Sequence, residues 1–440
     1  MSDLLIEHDG TPLSGKIHLD GAKHAFAHSL ACAALSDQGV LTSVPDHIDA
    51  RALRTALSLV FARVTYDTGT RRLSFGEPLQ PPQVTVPSEL AGRSRSLFCL
   101  LPALLARAGE VVMESAPQGC RIGQRPIDWY TRILAQFGVE SRADGTATVY
   151  TWRRRHAAQV NFEYPTMTGT VIALAAAAVS PGVTTIGNAS VEPSCAEQLA
   201  CLREMGGKVS GGLPDVRIEG RDGYSGTQWA VGPDRIHAVT YLTAGLLTRG
   251  KVTVTGARPL DIPRYVEFLD RVDACGDITA DSITAGFPDS GFLRPVQIAA
   301  GSEPLFSSDW VAFTSLLLAM RGQGPSTLSD DVFLQRFQYV DNLVPHGLDG
   351  ISLRHAPRGG RSAVHADIRP NSRDTLRAGD FGTCADIRGS ATLVLAALAA
   401  DGPCKVRDDF HIRRGYTDLA GDLATLGVTT VGTIREETAR

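Results

Sequence analysis

The chain has 440 residues and a formal net charge of -4. That length exceeds what one hydrophobic core ordinarily supports, so two domains are expected, and the near-neutral balance gives no electrostatic case for a nucleic-acid partner. No apolar run approaches the roughly 18 to 20 residues of a membrane span, and the start "MSDLLIEHDG" lacks a signal peptide's basic-then-apolar order, which points to a cytoplasmic protein with no membrane partner.

In chain order, one pattern recurs: an Ala- and Leu-rich helical segment, a glycine, a short β-branched run, a polar turn and a second helix. The glycine falls at Gly39, Gly109, Gly182, Gly250, Gly324 and Gly402, at intervals of 68 to 78 residues. "PALLARAGEVVMESA", "LAAAAVSPGVTTIGN" and "TAGLLTRGKVTVTGA" show it most plainly, each predicting a helix that ends on a left-handed glycine before a strand. A second helix is expected in each unit, as over 195–210, where Leu199, Leu202 and Met205 stand at helical spacing. Units of about 70 residues are too long for solenoid repeats. They predict an α/β protein of six repeats, three per domain, with sheets covering helices. No low-complexity linker separates the halves, so the crossovers are expected within 228–238 and near 19–22. That gives one domain of residues 1–20 with 232–440 and another of 21–231, the latter carrying the loop around Cys120.

The eight cysteines form no CxxC pair. Most sit in apolar runs, where a thiol is a small buried hydrophobe. Cys120 stands apart, in "SAPQGCRIGQRPIDWY", between Gly119 and Gly123 with Arg121 and Arg125 close by. Cations beside an open loop favour thiolate, so this is the one cysteine whose context suits reactivity. "TWRRRHAAQ" reads as a solvated turn rather than a binding patch.

With "DGAKHA", "VPDHID", "GCRIGQRPID", "EP" at Glu192, "PDRI", "ADIRGSATLVLAAL" and "HIRRGY" in that order, the chain resembles the enolpyruvyl transferases from about Gly10 onward, and within them most closely those acting on UDP-N-acetylglucosamine. The resemblance implies a two-domain inside-out α/β barrel of six βαβαββ-type repeats that closes over a cleft. It also implies transfer of the enolpyruvyl group of phosphoenolpyruvate to an acceptor hydroxyl, by addition and then loss of phosphate. Phosphoenolpyruvate carries phosphate and carboxylate on one carbon, so its pocket needs several cations. The resemblance assigns Lys23, Arg125, Arg388 and Arg414 to it, with Arg93 or Arg95, since neither falls in the family position without a one-residue shift. Asp309, in "FSSDWVAF", aligns with the carboxylate that faces the acceptor hydroxyl, although its place also suits a helix N-cap. Cys120 would act as general acid or in product release, and would react with epoxides that mimic phosphoenolpyruvate. Lys23, Cys120, Asp309 and Arg414 are thus the expected catalytic residues. No metal or organic cofactor is implied, because the reactive group arrives with phosphoenolpyruvate.

On the acceptor side, Arg125, Pro126, Ile127 and Asp128 keep the segment that reads a uridine in the resembling enzymes, and Thr166 and Thr168 lie where a diphosphate would bind. Elsewhere the pattern departs. His24 replaces an asparagine, Val171 and Ile172 a polar pair, Leu334 and Gln335 a Glu-Asn pair, and His237 an acidic residue. Removing polar partners disfavours an N-acetylhexosamine. The expected acceptor is therefore a uridine nucleotide such as UMP, on a ribose hydroxyl, as in nucleoside-antibiotic pathways. The alternatives are UDP-N-acetylglucosamine 1-carboxyvinyl transfer and, in another class, a non-catalytic nucleotide-binding homologue. An RNA 3'-phosphate cyclase fits the charge and the motifs poorly, and shikimate-type transfer lacks a place for "RPID". His24 and His28 have metal-ligand spacing on a helix, but without a third ligand in view they read as a solvated face.

Overall fold

Six helices are apolar on nearly every side, and this decides the architecture. Lys23–Ala33, Leu97–Ala108 and Met167–Ala178 bury almost all of their residues, as do Arg235–Leu247, Val311–Arg321 and Ile387–Ala397. A helix buried all round cannot lie on a surface. In each half of the chain three of them pack on one another, their alanines allowing close approach. Other helices have a single apolar face, such as Pro263–Arg271, which buries Tyr265, Phe268 and Leu269, and these lie outside the central three.

In the computed structural model, residues 2–123, 127–407 and 410–435 are described. The described strands form six sheets, five of four strands and one of five. Each begins with a parallel pair and ends with antiparallel pairing, which in five of the six is a hairpin. Val84–Val86 runs parallel to Glu110–Met113, with Thr85 opposite Val112; Ala147–Thr151 then pairs antiparallel, with Val112 opposite Val149, and Glu140–Asp144 completes the hairpin. Helices are inside and sheets outside, three repeats to each half, as the sequence pattern predicts.

By contacts the chain divides into a terminal unit of residues 1–19, 120–124 and 233–440, and a central unit of 20–119 and 125–232. Strand pairing shows why these pieces group. Thr227–Ala230, at the end of the central unit's third repeat, pairs parallel with Gly39–Thr42 of its first. Ser14–His18 pairs parallel with Lys251–Thr255, and Ser2–Glu7 lies antiparallel between Cys404–Val406 and Thr430–Arg435. The first two strands of the chain therefore serve the terminal unit. Each unit has its own core, one around Trp310, Phe313 and Tyr339, the other around Phe26, Leu101 and Phe137.

Two local expectations differ. Of the six recurring glycines only Gly109 and Gly182 are left-handed, at φ 73° and 103°. At Gly250 a Cβ would stand 1.9 Å from the Leu13 carbonyl oxygen, so close chain approach rather than backbone handedness requires glycine there. The contacts of residues 120–123 are made with the terminal unit, whereas the expected boundaries leave that loop in the other domain.

Candidate active site

In the terminal unit, charged side chains gather at the start of the Ile387–Ala397 helix. Asp386 caps that helix, its carboxylate accepting from the Gly389 N–H at 3.0 Å. Arg336 donates to both oxygens of Asp386, at 2.9 and 3.0 Å, and through its other terminal nitrogen to Asp309 at 2.9 Å. Arg388 reaches the same Asp309 oxygen through Nε at 3.4 Å. Arg336, Arg388 and Asp386 are all buried. Burial opposes charge on Asp386, but Arg336, the Gly389 N–H and Arg388 outweigh it and hold the carboxyl below its ordinary value. Burial likewise works against Arg388, yet Asp309, Tyr416, Asp234 and Asp386 raise its pKa. Asp309 is thus a carboxylate fixed by two guanidiniums. It is not the helix cap its sequence suggests: Trp310 holds that position, before Val311–Arg321.

Cys120 joins the same place. Its Sγ accepts from the Ile387 N–H at 3.4 Å, at the first turn of the helix, and lies 3.9 Å from the Arg414 Nη1. A helix N-terminus and a guanidinium both favour negative charge on sulfur. The loop is pinned by backbone bonds, Arg121 N–H to the Ala385 carbonyl at 2.9 Å and Gln335 N–H to that of Ile122 at 3.3 Å, and by the Gln338 amide on the Arg121 carbonyl at 2.6 Å. Ile122 is buried, anchoring the loop by its side chain. Of the cysteines assigned to apolar runs, Cys32, Cys99, Cys195, Cys201 and Cys384 are buried, while Cys120 is half-buried.

Beneath Arg388, Asp234 caps Arg235–Leu247, accepting from Ile236 and His237 N–H at 2.8 and 3.1 Å. His237 donates from Nε2 to the Gly415 carbonyl at 2.9 Å and stacks on Tyr416 with ring centroids 4.3 Å apart. Its departure from an acidic residue thus serves packing beside Arg414, and it touches no open surface.

In the central unit, Lys23 opens the Lys23–Ala33 helix and pairs with Asp49 at 2.5 Å, both nearly buried. Arg95, half-buried, lies with its guanidinium 5.4 Å from the Tyr130 ring centroid, whereas Arg93 is exposed. Lys23 and Arg95 both act electrostatically on buried Cys99. Thr166 and Thr168 are half-exposed at the start of Met167–Ala178. Asp128 is exposed and pairs with Arg132 at 2.9 Å one helical turn on; Ile127 precedes it as the cap residue. Arg125 and Pro126 lie outside the described residues. Val171 and Ile172 are fully buried, so their apolar character reflects the core and carries nothing about the acceptor. Leu334, by contrast, is half-exposed, its backbone nitrogen 3.9 Å from where a Cβ on Gly123 would stand. His28 is buried rather than on a solvated face.

Arg336 escaped the sequence reading. Its partners lie 27 and 50 residues away. The only local sign is an arginine between Phe333 and Phe337.

In the terminal unit, guanidiniums and a thiol are thus collected at the start of one buried helix. The profile of the family described as EPSP synthase (3-phosphoshikimate 1-carboxyvinyltransferase) matches residues 8–423. UDP-N-acetylglucosamine 1-carboxyvinyltransferase of Afipia carboxidovorans is 33% identical over 431 residues, 96% of this chain and 97% of the relative. The enzyme of that name from Sulfurovum sp. is 32% identical over 427 residues, with the same coverage. Among solved structures, the enolpyruvyl transferase NikO from Streptomyces tendae superposes with a TM-score of 0.83 at 25% identity, covering 99% of this chain and all of the other. EPSP synthase from Acinetobacter baumannii, at 15% identity and a TM-score of 0.70, shares the fold. The chain belongs to the EPSP synthase family and is an enolpyruvyl (carboxyvinyl) transferase.

Proposed function

We propose that the protein transfers the enolpyruvyl group of phosphoenolpyruvate to a ribose hydroxyl of a uridine nucleotide, UMP in the simplest case. Lys23, Arg95, Arg125, Arg388 and Arg414 bind the phosphate and carboxylate in this reading. Arg95 is preferred to Arg93 because it is half-buried and, like Lys23, acts electrostatically on buried Cys99. Asp309, ionised between Arg336 and Arg388, accepts the proton of the acceptor hydroxyl as that oxygen attacks C2. C3 takes a proton, giving a tetrahedral ketal; loss of phosphate and of the C3 proton restores the vinyl group. Fixed cations stabilise the departing phosphate without reorganising. Cys120, held at the Ile387 N–H and near Arg414, supplies or relays the proton at C3.

The observation that carries the acceptor assignment is Leu334: its backbone nitrogen lies beside the Cys120 loop at Gly123, and its half-exposed apolar side chain can give an N-acetylhexosamine no hydrogen bond. His24, next to Lys23, supports it by replacing a side-chain amide with an imidazole. Transfer to UDP-N-acetylglucosamine is the second reading, favoured by the names of the full-length relatives. Phosphate release from phosphoenolpyruvate with UMP, UDP-N-acetylglucosamine, uridine and shikimate 3-phosphate separates them. Turnover is expected with UMP and not with the sugar nucleotide. The reverse order establishes the second reading, and release with none of the four points to a nucleotide-binding homologue.

A further inference from the structure

The Lys23–Ala33 and Pro193–Glu204 helices pack directly on each other in the central unit. At their contact three different ligand types converge. His28, Glu192 and Cys195 each place a nitrogen, oxygen or sulfur within 4.8 Å of the other two, and all three residues are buried. His28 is 2% exposed, and its Nδ1 is a buried nitrogen without a hydrogen-bond partner. An unsatisfied ring nitrogen in a core costs free energy unless something binds it.

We propose that His28, Glu192 and Cys195 form a binding site for a borderline-soft divalent transition ion of the zinc class, separate from the enolpyruvyl chemistry, which needs no metal. Imidazole, carboxylate and thiolate are the ligand types that Zn²⁺ takes in four-coordinate sites. A divalent ion needs its ligand atoms somewhat nearer together than the 4.8 Å limit they share. Glu192 is held by the Ser194 N–H at 2.9 Å, where it caps its helix. Cys195 rests with its thiol 3.8 Å from the Met167 carbonyl. On binding, the sulfur forms a bond to the ion and its proton leaves to solvent, so affinity rises with pH. The rings of His24 and His28, which the spacing alone left as a solvated face, stack 6.0 Å apart, and His28 finds its companions 164 and 167 residues further on.

The test is titration of the full-length, chelator-treated chain with Co²⁺, read by absorbance, followed by Zn²⁺ competition. One Co²⁺ per chain is expected, with a thiolate-to-cobalt charge-transfer band that Zn²⁺ removes. Cys195→Ser should abolish the band, His28→Ala should weaken binding at least about tenfold, and Cys275→Ser, at the exposed thiol, should change neither. No band in the unmutated chain overturns the proposal, which therefore does not depend on the variants folding. A band that survives Cys195→Ser, or disappears in Cys275→Ser, overturns it equally.

Discussion

Arg336 holds the Asp309 carboxylate in place while touching no open surface. It bridges Asp309 and Asp386 with separate nitrogens, a task that a planar fork performs and a single ammonium does not. Arg336→Met would strand two carboxylates, one fully buried, and is expected to cost about 3 to 5 kcal/mol of stability in urea unfolding. Arg336→Lys should recover part of that stability while kcat stays low; full recovery of both would show that bridging is unimportant. Asp309→Asn keeps the shape and removes the proton acceptor, so kcat should fall by about 10² or more with little change in KM for phosphoenolpyruvate. At Cys120, a phosphoenolpyruvate-like epoxide in the presence of acceptor should add once per chain by intact mass, and not at all in Cys120→Ser. An adduct found on exposed Cys275 instead would remove the case for an activated thiol at position 120.

At the scale of elements, helix starts do the work. The helices Arg235–Leu247 and Ile387–Ala397 both begin with a buried aspartate that accepts backbone N–H groups and faces Arg388 or Arg336. For Asp234, burial opposes ionisation, but His237, Arg388 and two N–H groups outweigh it and lower the pKa from 3.8 to about 2. A lowered folded-state value contributes stability that is fully present above 3.8 and is lost as pH falls through about 2. The share of Asp234 is about 2 kcal/mol. Asp234→Asn keeps a capping oxygen but no charge, so its urea midpoint should fall less than the parent's between pH 5 and pH 2.5. Equal slopes would mean that the pairing contributes nothing.

Over the whole molecule, two separate cores of comparable size predict two calorimetric transitions. Phe313→Ala, in the terminal unit, and Phe137→Ala, in the central one, should each lower one transition and leave the other, by about 3 to 5 kcal/mol. A single transition lowered equally by both would show that the units unfold together.

The six-repeat arrangement was legible because it rests on local information: helices rich in alanine and leucine, a glycine, then β-branched residues, repeated at similar intervals. The same locality marked Cys120 as unusual in its segment. It left Asp309 with two readings, a carboxylate facing the acceptor and a helix cap, because "SSDW" fits a helix start equally well, and the observed position of Trp310 removes the cap. It also lent Val171 and Ile172 a meaning for the acceptor that their complete burial removes.

By itself, then, the sequence determined which segments are helices and strands, that they form six similar units, and which loop holds the exceptional thiol, since each depends on residues near one another in the chain. Tertiary structure alone decided which charges meet. Arg336 finds Asp309 and Asp386, Cys120 finds Ile387 and Arg414, and His28 finds Glu192 and Cys195 across separations that no local pattern encodes. The physical reason is that a buried charge or ligand is settled by the last contact made when helices pack, and that contact lies between elements rather than within them.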